Sequence, residues 1–334
     1  MSNSDILHIL TENPCQETPE AQWERIRESI LGSGACACGV STAEPVAENI
    51  REEYGKWLSE GRHAGMAYME RYIDIRTDPR LLLEGAESII SIAYSYHTDE
   101  REQYEGSPYI ANYAIGDDYH DVIRERLRPI AEEIKQRYGA ECRICIDSAP
   151  IHERYWAVKS GIGERCANGA IYIPGYGSEV FLAELITTLK LPANDRRAPE
   201  DDIRRGCQHC GLCRNACPGE ALHSDGTIDS GRCINYLTIE HRGDFNESQL
   251  HLLRRIEPTL FGCDRCQQVC PLNKGIGSTP IANFQMRASL KFLTIKEIEE
   301  MTPAEFSRRF KGSPIKRAKL AGLLRNLIFT LRLI

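Results

Sequence analysis

The chain has 334 residues, of which 42% are hydrophobic and 27% charged, and its formal net charge is −7. This length allows one or two domains with hydrophobic cores, and the composition is typical of a soluble globular protein. The acidic balance argues against a general polyanion-binding protein, although a local basic face remains compatible with it.

No stretch approaches the roughly 20 consecutive apolar residues of a membrane-spanning helix. The N-terminus, MSNSDILHILTENPCQETPE, contains no basic region followed by an apolar stretch, which is the pattern of a secretory signal. We therefore expect a cytoplasmic protein without a membrane partner. A monomer is the simplest expectation for its assembly.

The first 190 residues have the pattern of an α/β or α+β domain. In chain order they predict helices over 45–60, 119–138 and 179–189, and strands over 88–96, 141–147 and 170–174. A stretch rich in proline and charge, 190–206, indicates a domain boundary. A helical tail follows the cysteine-rich segment, and Thr302 and Glu305 form the pattern of a capping box. The expected domains are 1–190, 191–280 and 281–334.

Fourteen cysteines need an explanation in a cytoplasmic chain, because structural disulfides are not expected there. Eight of them lie between Cys207 and Cys270, and this clustering favours metal binding. The first run reads C-x2-C-x2-C-x3-C-P, whereas the second, over 263–271, reads C-x2-C-x3-C-P. Leu260 stands where the second run would have its first cysteine.

Counting thiolates accounts for the missing cysteine. In bacterial two-cluster ferredoxins, the fourth cysteine of each run binds the other cluster. This pattern assigns one [4Fe–4S] cluster to Cys207, Cys210, Cys213 and Cys270, and a second to Cys217, Cys233, Cys263 and Cys266. Cys233 completes the second set, since it is the only unassigned cysteine in the segment. Zinc ribbons are the alternative, but the complete spacing is more specific to iron–sulfur clusters.

Asp147 is the main candidate for chemistry in the N-terminal region. It ends the apolar strand RICID and precedes a turn, and a carboxylate at the C-terminal end of a strand is a common catalytic position in α/β folds. We expect burial to raise its pKa, which would suit a proton donor. The alternative is an ordinary turn or helix-capping aspartate.

Two other motifs have simpler explanations. Gly161 and Gly163 form part of a broken dinucleotide fingerprint, for which tight packing or close approach of the backbone to a ligand is the better interpretation. Asp118, Tyr119 and His120 begin a predicted helix, and surface capping accounts for them.

Several stretches together resemble the epoxyqueuosine reductase family. They are HAGMAYMERYIDIRTDPRLLLEGAESIISIA (63–93), GDDYHDVIRERL (116–127), IDSAPIHERYWAVKSGIG (146–163), GCDRCQQVCPLNK (262–274) and IKRAKLAGLLRNL (315–327), with the block around Cys233. The resemblance implies a cobalamin-dependent reductase that removes the epoxide oxygen of epoxyqueuosine in tRNA. It implies a cobalamin-binding domain similar to that of reductive dehalogenases, a ferredoxin-like domain and a low-potential electron donor.

The resemblance also implies roles for individual residues. Asp147 corresponds to the proton-donating aspartate of the family, and Arg76 to a cobalamin-contacting arginine. Ile171 and Asp264 correspond to further positions that line the cobalamin. Taken alone, Arg76 has the pattern of a solvated arginine.

The chain departs from the family pattern at two places. Where members continue G-x-G-x-x-G-K-N, Cys166 and Ala167 replace the Gly-Lys pair, and only Asn168 is retained. Ala111 stands where some members have a cysteine near the cobalt. The lost lysine leaves the identity of the substrate open.

Three functions are compatible with these observations. A tRNA epoxide reductase predicts a basic rim around the cobalamin cleft. A related cobalamin reductase would act on a small molecule, and a non-enzymatic electron carrier would bind no cobalamin. The candidate rim is the basic tail, which comprises Arg308, Arg309, Lys311, Lys316, Arg317 and Lys319. The alternative for the tail is an amphipathic helix with a solvated face.

Overall fold

The structure is a computed structural model that describes residues 17–99, 107–194 and 203–331. Its strands are β1 (Ala37–Thr42), β2 (Ser88–Ser95), β3 (Tyr109–Ile110), β4 (Cys142–Cys145), β5 (Glu164–Arg165), β6 (Ile171–Tyr172), β7 (Val180–Thr187) and β8 (Thr259–Phe261). Cys15 and residues 195–202 of the expected boundary lie outside the described residues.

The α-helices fall into two groups along the chain. The first comprises α1 (Pro19–Gly32), α2 (Glu48–Ser59), α3 (Ile73–Thr77), α4 (Tyr119–Tyr138) and α5 (Glu153–Lys159). The second comprises α6 (Arg205–Cys210), α7 (Leu212–Asn215), α8 (Ile234–Ile239), α9 (Glu247–Leu253), α10 (Arg265–Gln268), α11 (Ala288–Lys291), α12 (Ile295–Glu299), α13 (Pro303–Arg309) and α14 (Lys319–Leu331). The helices predicted over 45–60 and 119–138 correspond to α2 and α4.

Four strands form the central sheet in the order β1-β2-β7-β4, and every neighbouring pair is antiparallel. The fold is therefore mixed α+β. The α/β alternative is wrong, because it requires a mainly parallel sheet whose strands are joined by long crossover connections. The strands predicted over 88–96, 141–147 and 170–174 correspond to β2, β4 and β6.

The segment 179–189, which the sequence predicts as a helix, is strand β7 and the segment around it. β7 lies between β2 and β4 and is buried on both faces, so its sequence is an almost continuous apolar run. Such a run resembles a buried helix in its periodicity. The error matters for the site, since β7 carries the buried Glu184.

Helices α1 and α4 cover one face of the sheet. The buried stripe of α4 is the predicted one, namely Val122, Ile123, Leu127, Ile130 and Ile134. It packs with Ile26 and Ile30 of α1 against Ile90 and Ile92 of β2. Each of these fully buried side chains stabilises the fold by about 1.5–3 kcal/mol. This packing fixes the first turn of α4, which carries part of the site.

Helix α5 and the β5–β6 hairpin cover the opposite face. Trp156 of α5 is fully buried with Cys145 and Ile186 from the sheet. A Cβ added to Gly163 would lie 2.5 Å from Cγ2 of Ile171, which is closer than real Cβ atoms approach. The tight-packing interpretation of the glycine pair is therefore confirmed at Gly163.

The C-terminal helices build a second core with the segment around β3. Phe310, Ile315 and Leu323 are fully buried there together with Ile110 and Ile115. The predicted capping box of Thr302 and Glu305 is confirmed at the start of α13. In the described part of the chain, no helix combines the length and apolar character needed to cross a membrane.

Candidate active site and cysteine groups

Asp147 lies two residues after β4, at the edge of the sheet. Its φ of 46° is in the left-handed region, which aspartate tolerates better than most residues. The turn leaves 58% of its side chain exposed. The carboxylate is therefore accessible from outside the protein, where a substrate could approach it.

Two side chains from the first turn of α4 hold the Asp147 carboxylate. Tyr119 Oη donates to Oδ2 of Asp147 at 2.7 Å, and His120 Nε2 donates to the same oxygen at 3.1 Å. His120 Nδ1 donates to Asp118 at 2.7 Å, so the imidazole lies between two carboxylates. Asp118 caps α4 as expected, whereas the contacts of Tyr119 and His120 with Asp147 were missed from the sequence.

These hydrogen bonds overturn the expected pKa of Asp147. Burial alone would raise it, but the hydrogen bonds from His120 and Tyr119 outweigh burial and lower the pKa below its usual value. Burial alone would also lower the pKa of His120, but the hydrogen bonds to Asp118 and Asp147 raise it to about 9. At neutral pH, Asp147 is ionised and His120 carries the proton.

A second carboxyl group lies directly behind Asp147. The backbone N–H of Asp147 donates to Glu153 Oε1 at 2.5 Å. Burial, and then the charge of Asp147, raises the pKa of Glu153 to about 8. Two neighbouring carboxyl groups are therefore held in opposite protonation states, a pattern found where acid–base roles are divided.

Arg76 lies on α3, next to the N-terminal end of α5. Its guanidinium group faces the ring of Tyr54, with 5.9 Å between them, and His152 contacts the same ring edge-on. Burial, and then the charge of Arg76, lowers the pKa of His152 to about 4. Nε of Arg76 is buried and has no hydrogen-bond partner among the residues that the structure describes. Such a donor indicates a missing acceptor.

One residue of the basic tail, Arg317, lies close to Asp147. The surface around Asp147, Tyr68 and Arg317 is called the cleft below. Arg317 forms an ion pair with Glu240 at 2.8 Å, faces the ring of Tyr68 at 5.9 Å, and helps to lower the pKa of Asp147. Arg309 instead turns inward and binds Glu297. The remaining members of the tail, Arg308, Lys311, Lys316 and Lys319, are exposed.

The eight cysteines of the C-terminal segment form two groups in space. In one group, burial and then the thiols of Cys270 and Cys207 raise the pKa of Cys213. The pKa of Cys270 is also raised, by burial and then by the thiols of Cys207 and Cys210. In the other, burial and then Cys263, Cys233 and Cys217 raise the pKa of Cys266. Each of these neighbours belongs to the same predicted set as the thiol that it influences, and the binding of clusters by the two sets stays a prediction.

The spacing of the eight cysteines along the chain is the observation that favours clusters over single ions. Among the described residues, no three metal-binding side chains converge on one point. In a [4Fe–4S] cluster each thiolate binds a different iron atom, so the four sulfur atoms stand further apart than the ligands of one zinc ion. Leu260 is fully buried in β8, where its carbonyl accepts a hydrogen bond from Asn326.

Asp264 and Ile171 are both buried. The Asp264 side chain accepts hydrogen bonds from Tyr109 Oη at 2.8 Å and from the backbone N–H of Asn112 at 2.6 Å. Ile171 is 3% exposed, and its side chain packs under Gly163. The carboxylate of Asp264 thus holds the segment that follows β3, and the Ile171 side chain belongs to the core.

The two departures from the family pattern have different surroundings. Cys166 is buried, and burial together with the neighbouring thiol of Cys207, one of the eight grouped cysteines, raises its pKa. Ala111 packs against Gly262. A Cβ atom added to Gly262 would lie 2.4 Å from the Cβ atom of Ala111. The structure therefore brings a ninth thiol next to one cysteine group and leaves no thiol at Ala111.

Two family models match the chain. Residues 76–148 match the model described as epoxyqueuosine reductase QueG, DUF1730. Residues 206–273 match a 4Fe–4S double cluster binding domain. The first match includes Arg76 and Asp147, and the second contains all eight grouped cysteines.

Curated relatives are similar over nearly the whole chain. The epoxyqueuosine reductase of Cellulophaga algicola is 35% identical over 313 residues, which cover 93% of this chain and 99% of the relative. That of Leadbetterella byssophila is 38% identical over 295 residues, covering 87% and 92% respectively.

Solved structures of epoxyqueuosine reductases share the fold. One, with an epoxyqueuosine-modified stem loop of tRNA-Tyr, aligns with a TM-score of 0.84 at 28% identity, covering 93% of this chain and 80% of the other. Another, from Bacillus subtilis, has its catalytic aspartate loop swung out of the active site. It aligns with a TM-score of 0.83 at 28% identity, covering 93% and 81%.

Proposed function

The chain belongs to the epoxyqueuosine reductase family, and from this premise we propose that it removes the epoxide oxygen of epoxyqueuosine in tRNA in the cytoplasm. The observation that carries the proposal is the Asp147 carboxylate. It is exposed at a left-handed turn, and Tyr119 and His120 fix its position. A side chain that transfers a proton to a substrate needs this combination of access and fixed geometry.

The reaction consumes two electrons and two protons. Both carbon–oxygen bonds of the epoxide break, the oxygen leaves as water, and a carbon–carbon double bond remains. We assign the electron supply to two [4Fe–4S] clusters, each held by one of the two cysteine groups defined above. Clusters of this type carry single electrons, and a low-potential donor outside the chain would refill them.

Cobalamin is the cofactor that we propose for the cleft. When bound, it supplies a low-valent cobalt centre that can break carbon–oxygen bonds. Arg76 would hold it, because its buried Nε lacks an acceptor in the described part of the chain. Asp264 would position the backbone at Asn112 toward it, and Ile171 would support the β5–β6 hairpin from the core. The likeness of this domain to reductive dehalogenases stays a prediction.

Asp147 and His120 together deliver a proton to the departing oxygen. The ionised carboxylate cannot donate by itself, and the protonated imidazole shares its Nε2 proton with Asp147 Oδ2. As negative charge develops on the substrate oxygen, the proton moves through Oδ2 to that oxygen. Tyr119 keeps the carboxylate in the required orientation through its 2.7 Å hydrogen bond.

The tRNA would approach the side of the cleft that carries Tyr68 and Arg317. Tyr68 is 43% exposed and Tyr72 is 66% exposed, although both are large aromatic residues. Aromatic rings next to arginine are typical surfaces for stacking unpaired RNA bases. The relative solved with a modified tRNA stem loop supports the same class of substrate here.

A small-molecule substrate is the second candidate. The observation that favours it is the replacement of the family's Gly-Lys pair by Cys166 and Ala167. Ala167 is 7% exposed and offers no charge to a phosphate. The exposed ring of Tyr68 beside Arg317 favours tRNA, because a small substrate would not need it.

The test is reduction of epoxyqueuosine-containing tRNA by anaerobically reconstituted protein. We expect Asp147→Asn to lower turnover by about 10²–10⁴-fold, as for other proton-transferring side chains. Asp121→Asn is the matched control, because Asp121 lies on α4 with a side chain that is 68% exposed. The iron–sulfur absorption of both variants should equal that of the wild type.

Three outcomes would change the proposal. Cobalamin binding without turnover on tRNA would favour the small-molecule reductase. Failure to bind cobalamin would contradict both cobalamin-dependent functions. Full activity of Asp147→Asn would remove Asp147 from the proton transfer.

A further inference from the structure

A group of buried polar atoms without partners lies between α5 and the central sheet. Both carboxyl oxygens of Glu184 are buried and lack a hydrogen-bond partner among residues 17–99, 107–194 and 203–331, and the same holds for Ser91 Oγ and Trp156 Nε1. Glu184 and Ser91 are fully buried. Buried polar groups are nearly always hydrogen-bonded, so this concentration in one place requires an explanation.

The sheet register and the helix bring these atoms to the same face. Glu184 in β7 pairs across the sheet with Ser91 of β2 on one side and Cys145 of β4 on the other. Cys145 and Trp156 belong to the core beneath α5. Residues three apart on a helix share a face, so Glu153 and Trp156 lie on the same face of α5. Glu153 is also an electrostatic neighbour of Glu184.

Internal water would satisfy these atoms. A buried water typically makes about three hydrogen bonds to polar groups that otherwise have none. Glu184, Ser91 and Trp156 offer acceptors and donors in that arrangement. A neutral carboxyl group suits this place, because burial and then the nearby Glu153 carboxyl raise the pKa of Glu184 well above its usual value.

Three acidic residues, Glu184, Glu153 and Asp147, follow one another from these buried atoms to the surface. Glu184 and Glu153 interact electrostatically, and Glu153 Oε1 accepts the backbone N–H of Asp147. Glu153 is thus close to Glu184 and to the Asp147 backbone, and the charge of the Asp147 carboxylate acts on it. The groups that face these acids are His120 on α4, Arg154 on α5 and Cys145 on β4.

The stoichiometry of the reaction gives this connection a use. Removal of an epoxide oxygen as water takes two protons, and the Asp147–His120 pair holds one of them. Asp147 is exposed in the free protein, but a substrate seated in the cleft would cover it and separate it from bulk water. The second proton then needs a route through the protein.

We propose that Glu184, Glu153 and the water between them store the second proton and return it to Asp147 while the substrate covers the cleft. The inference rests on the proposed function and assigns a positioning role to two further residues. The store gives up one proton in each turnover and is refilled when the product leaves. Electrons take no part in this transfer, which moves a proton between oxygen atoms.

The first experiment needs no turnover. In the infrared spectrum of the reconstituted protein in D2O at neutral pD, a buried protonated carboxyl group gives a C=O band separate from those of carboxylates. We expect Glu184→Gln to remove such a band, and Glu44→Gln to retain it. Glu44 is the matched control because it is a half-exposed glutamate paired with Lys159 at the far end of α5. The absence of the band from the wild type would overturn the store.

The second experiment measures single turnover of bound epoxyqueuosine-containing tRNA against pH. We expect Glu184→Gln and Glu153→Gln to react about tenfold more slowly, with the alkaline limb moved to lower pH because less proton is stored. Glu184→Asp keeps an acid and should restore the wild-type pH profile. A uniform loss of rate with an unchanged profile would show a structural role and overturn the proposal.

Folding and activity can be separated in the same samples. Glutamine has the shape of a neutral glutamic acid, so thermal unfolding of Glu184→Gln should match that of the wild type. If the wild type shows the carboxyl band but reduces no epoxyqueuosine, the proposed function fails. If it reduces epoxyqueuosine and Glu184→Gln reacts with the same rate and pH profile, the store alone is contradicted.

Discussion

The grouped cysteines all lie between Cys207 and Cys270, on short helices and loops, whereas the side chains around Asp147 come from segments as distant as Tyr119 and Arg317. The first region brings together chemically identical thiols, which would bind iron–sulfur clusters. The second gathers different side chains whose hydrogen bonds set each other's protonation.

This difference determines how each region responds to change. A four-thiolate cluster loses a whole coordination position when one cysteine is removed, so its loss is close to all-or-none. In the Asp147 cleft each contact contributes a part of the electrostatic balance, so removal of one partner shifts a pKa and leaves the others in place. Substitutions in the two regions can test this contrast.

The largest effect is expected for Cys233→Ser. Cys233 precedes α8, outside both cysteine runs, and is the fourth thiol of its group. We expect the variant to lose one of the two clusters, with the iron and sulfide content per chain falling to about half. Electron transfer into the cleft, and therefore turnover, should be abolished.

Cys142→Ser is the control for this prediction. Cys142 is a partly buried thiol on β4, outside both groups, and its substitution should leave the iron content unchanged. Retention of two clusters by Cys233→Ser would contradict the assignment of this ligand. Cys166 lies beside Cys207, next to the other group, so we do not expect it to replace Cys233.

The cysteine groups were predictable because the spacing of ligands is a local property of the sequence. The spacing indicated two sets of four, including Cys233, and a double cluster domain matches the same segment, while the assignment of each thiol to a cluster stays a prediction. The capping box at Thr302 is local in the same sense, because both of its partners lie within one turn of helix. Neither prediction required knowledge of the sheet.

The surroundings of Asp147 were not predictable in this way. Tyr119 and His120 are 28 and 27 residues from Asp147, and only the packing of α4 on the sheet brings them to it. Their position next to Asp118 suggested capping, which is correct for Asp118 alone. The sign of the pKa shift depends on these contacts, so a sequence that indicates burial predicts the wrong direction. The only signal for Tyr119 and His120 in the sequence was the GDDYH stretch, which is one of the stretches that resemble the family.

An intermediate effect is expected for His120→Gln. The folded pKa of His120 is about 9, above the usual value of 6.5, so its stabilising charge is complete below pH 6.5 and is lost as pH rises through 9. We expect the wild type to lose on the order of 2 kcal/mol of unfolding free energy across this range, allowing for the exposure of Asp147. The variant should lose much less.

Thermal or urea unfolding of both proteins at several pH values between 6.5 and 9 measures this difference. The carboxylate of Asp147 has the opposite sign, because its lowered pKa contributes stability that is lost only as pH falls through the acidic range. A parallel pH dependence of wild type and His120→Gln above pH 6.5 would contradict the charged imidazole. The cluster absorption should not change in either protein.

The smallest effect is expected for Thr302→Ala, which touches neither region. Thr302 Oγ1 accepts the backbone N–H of Glu305 at 3.3 Å, and Glu305 returns a bond to the backbone N–H of Thr302 at 2.8 Å. Loss of the cap should cost about 1 kcal/mol of unfolding free energy, while Thr302→Ser retains the hydroxyl and most of the stability. Since α13 packs in the C-terminal core through Phe306, the change should leave turnover and iron content as in the wild type. Equal unfolding free energies for the Ala and Ser variants would mean that the cap contributes nothing to stability.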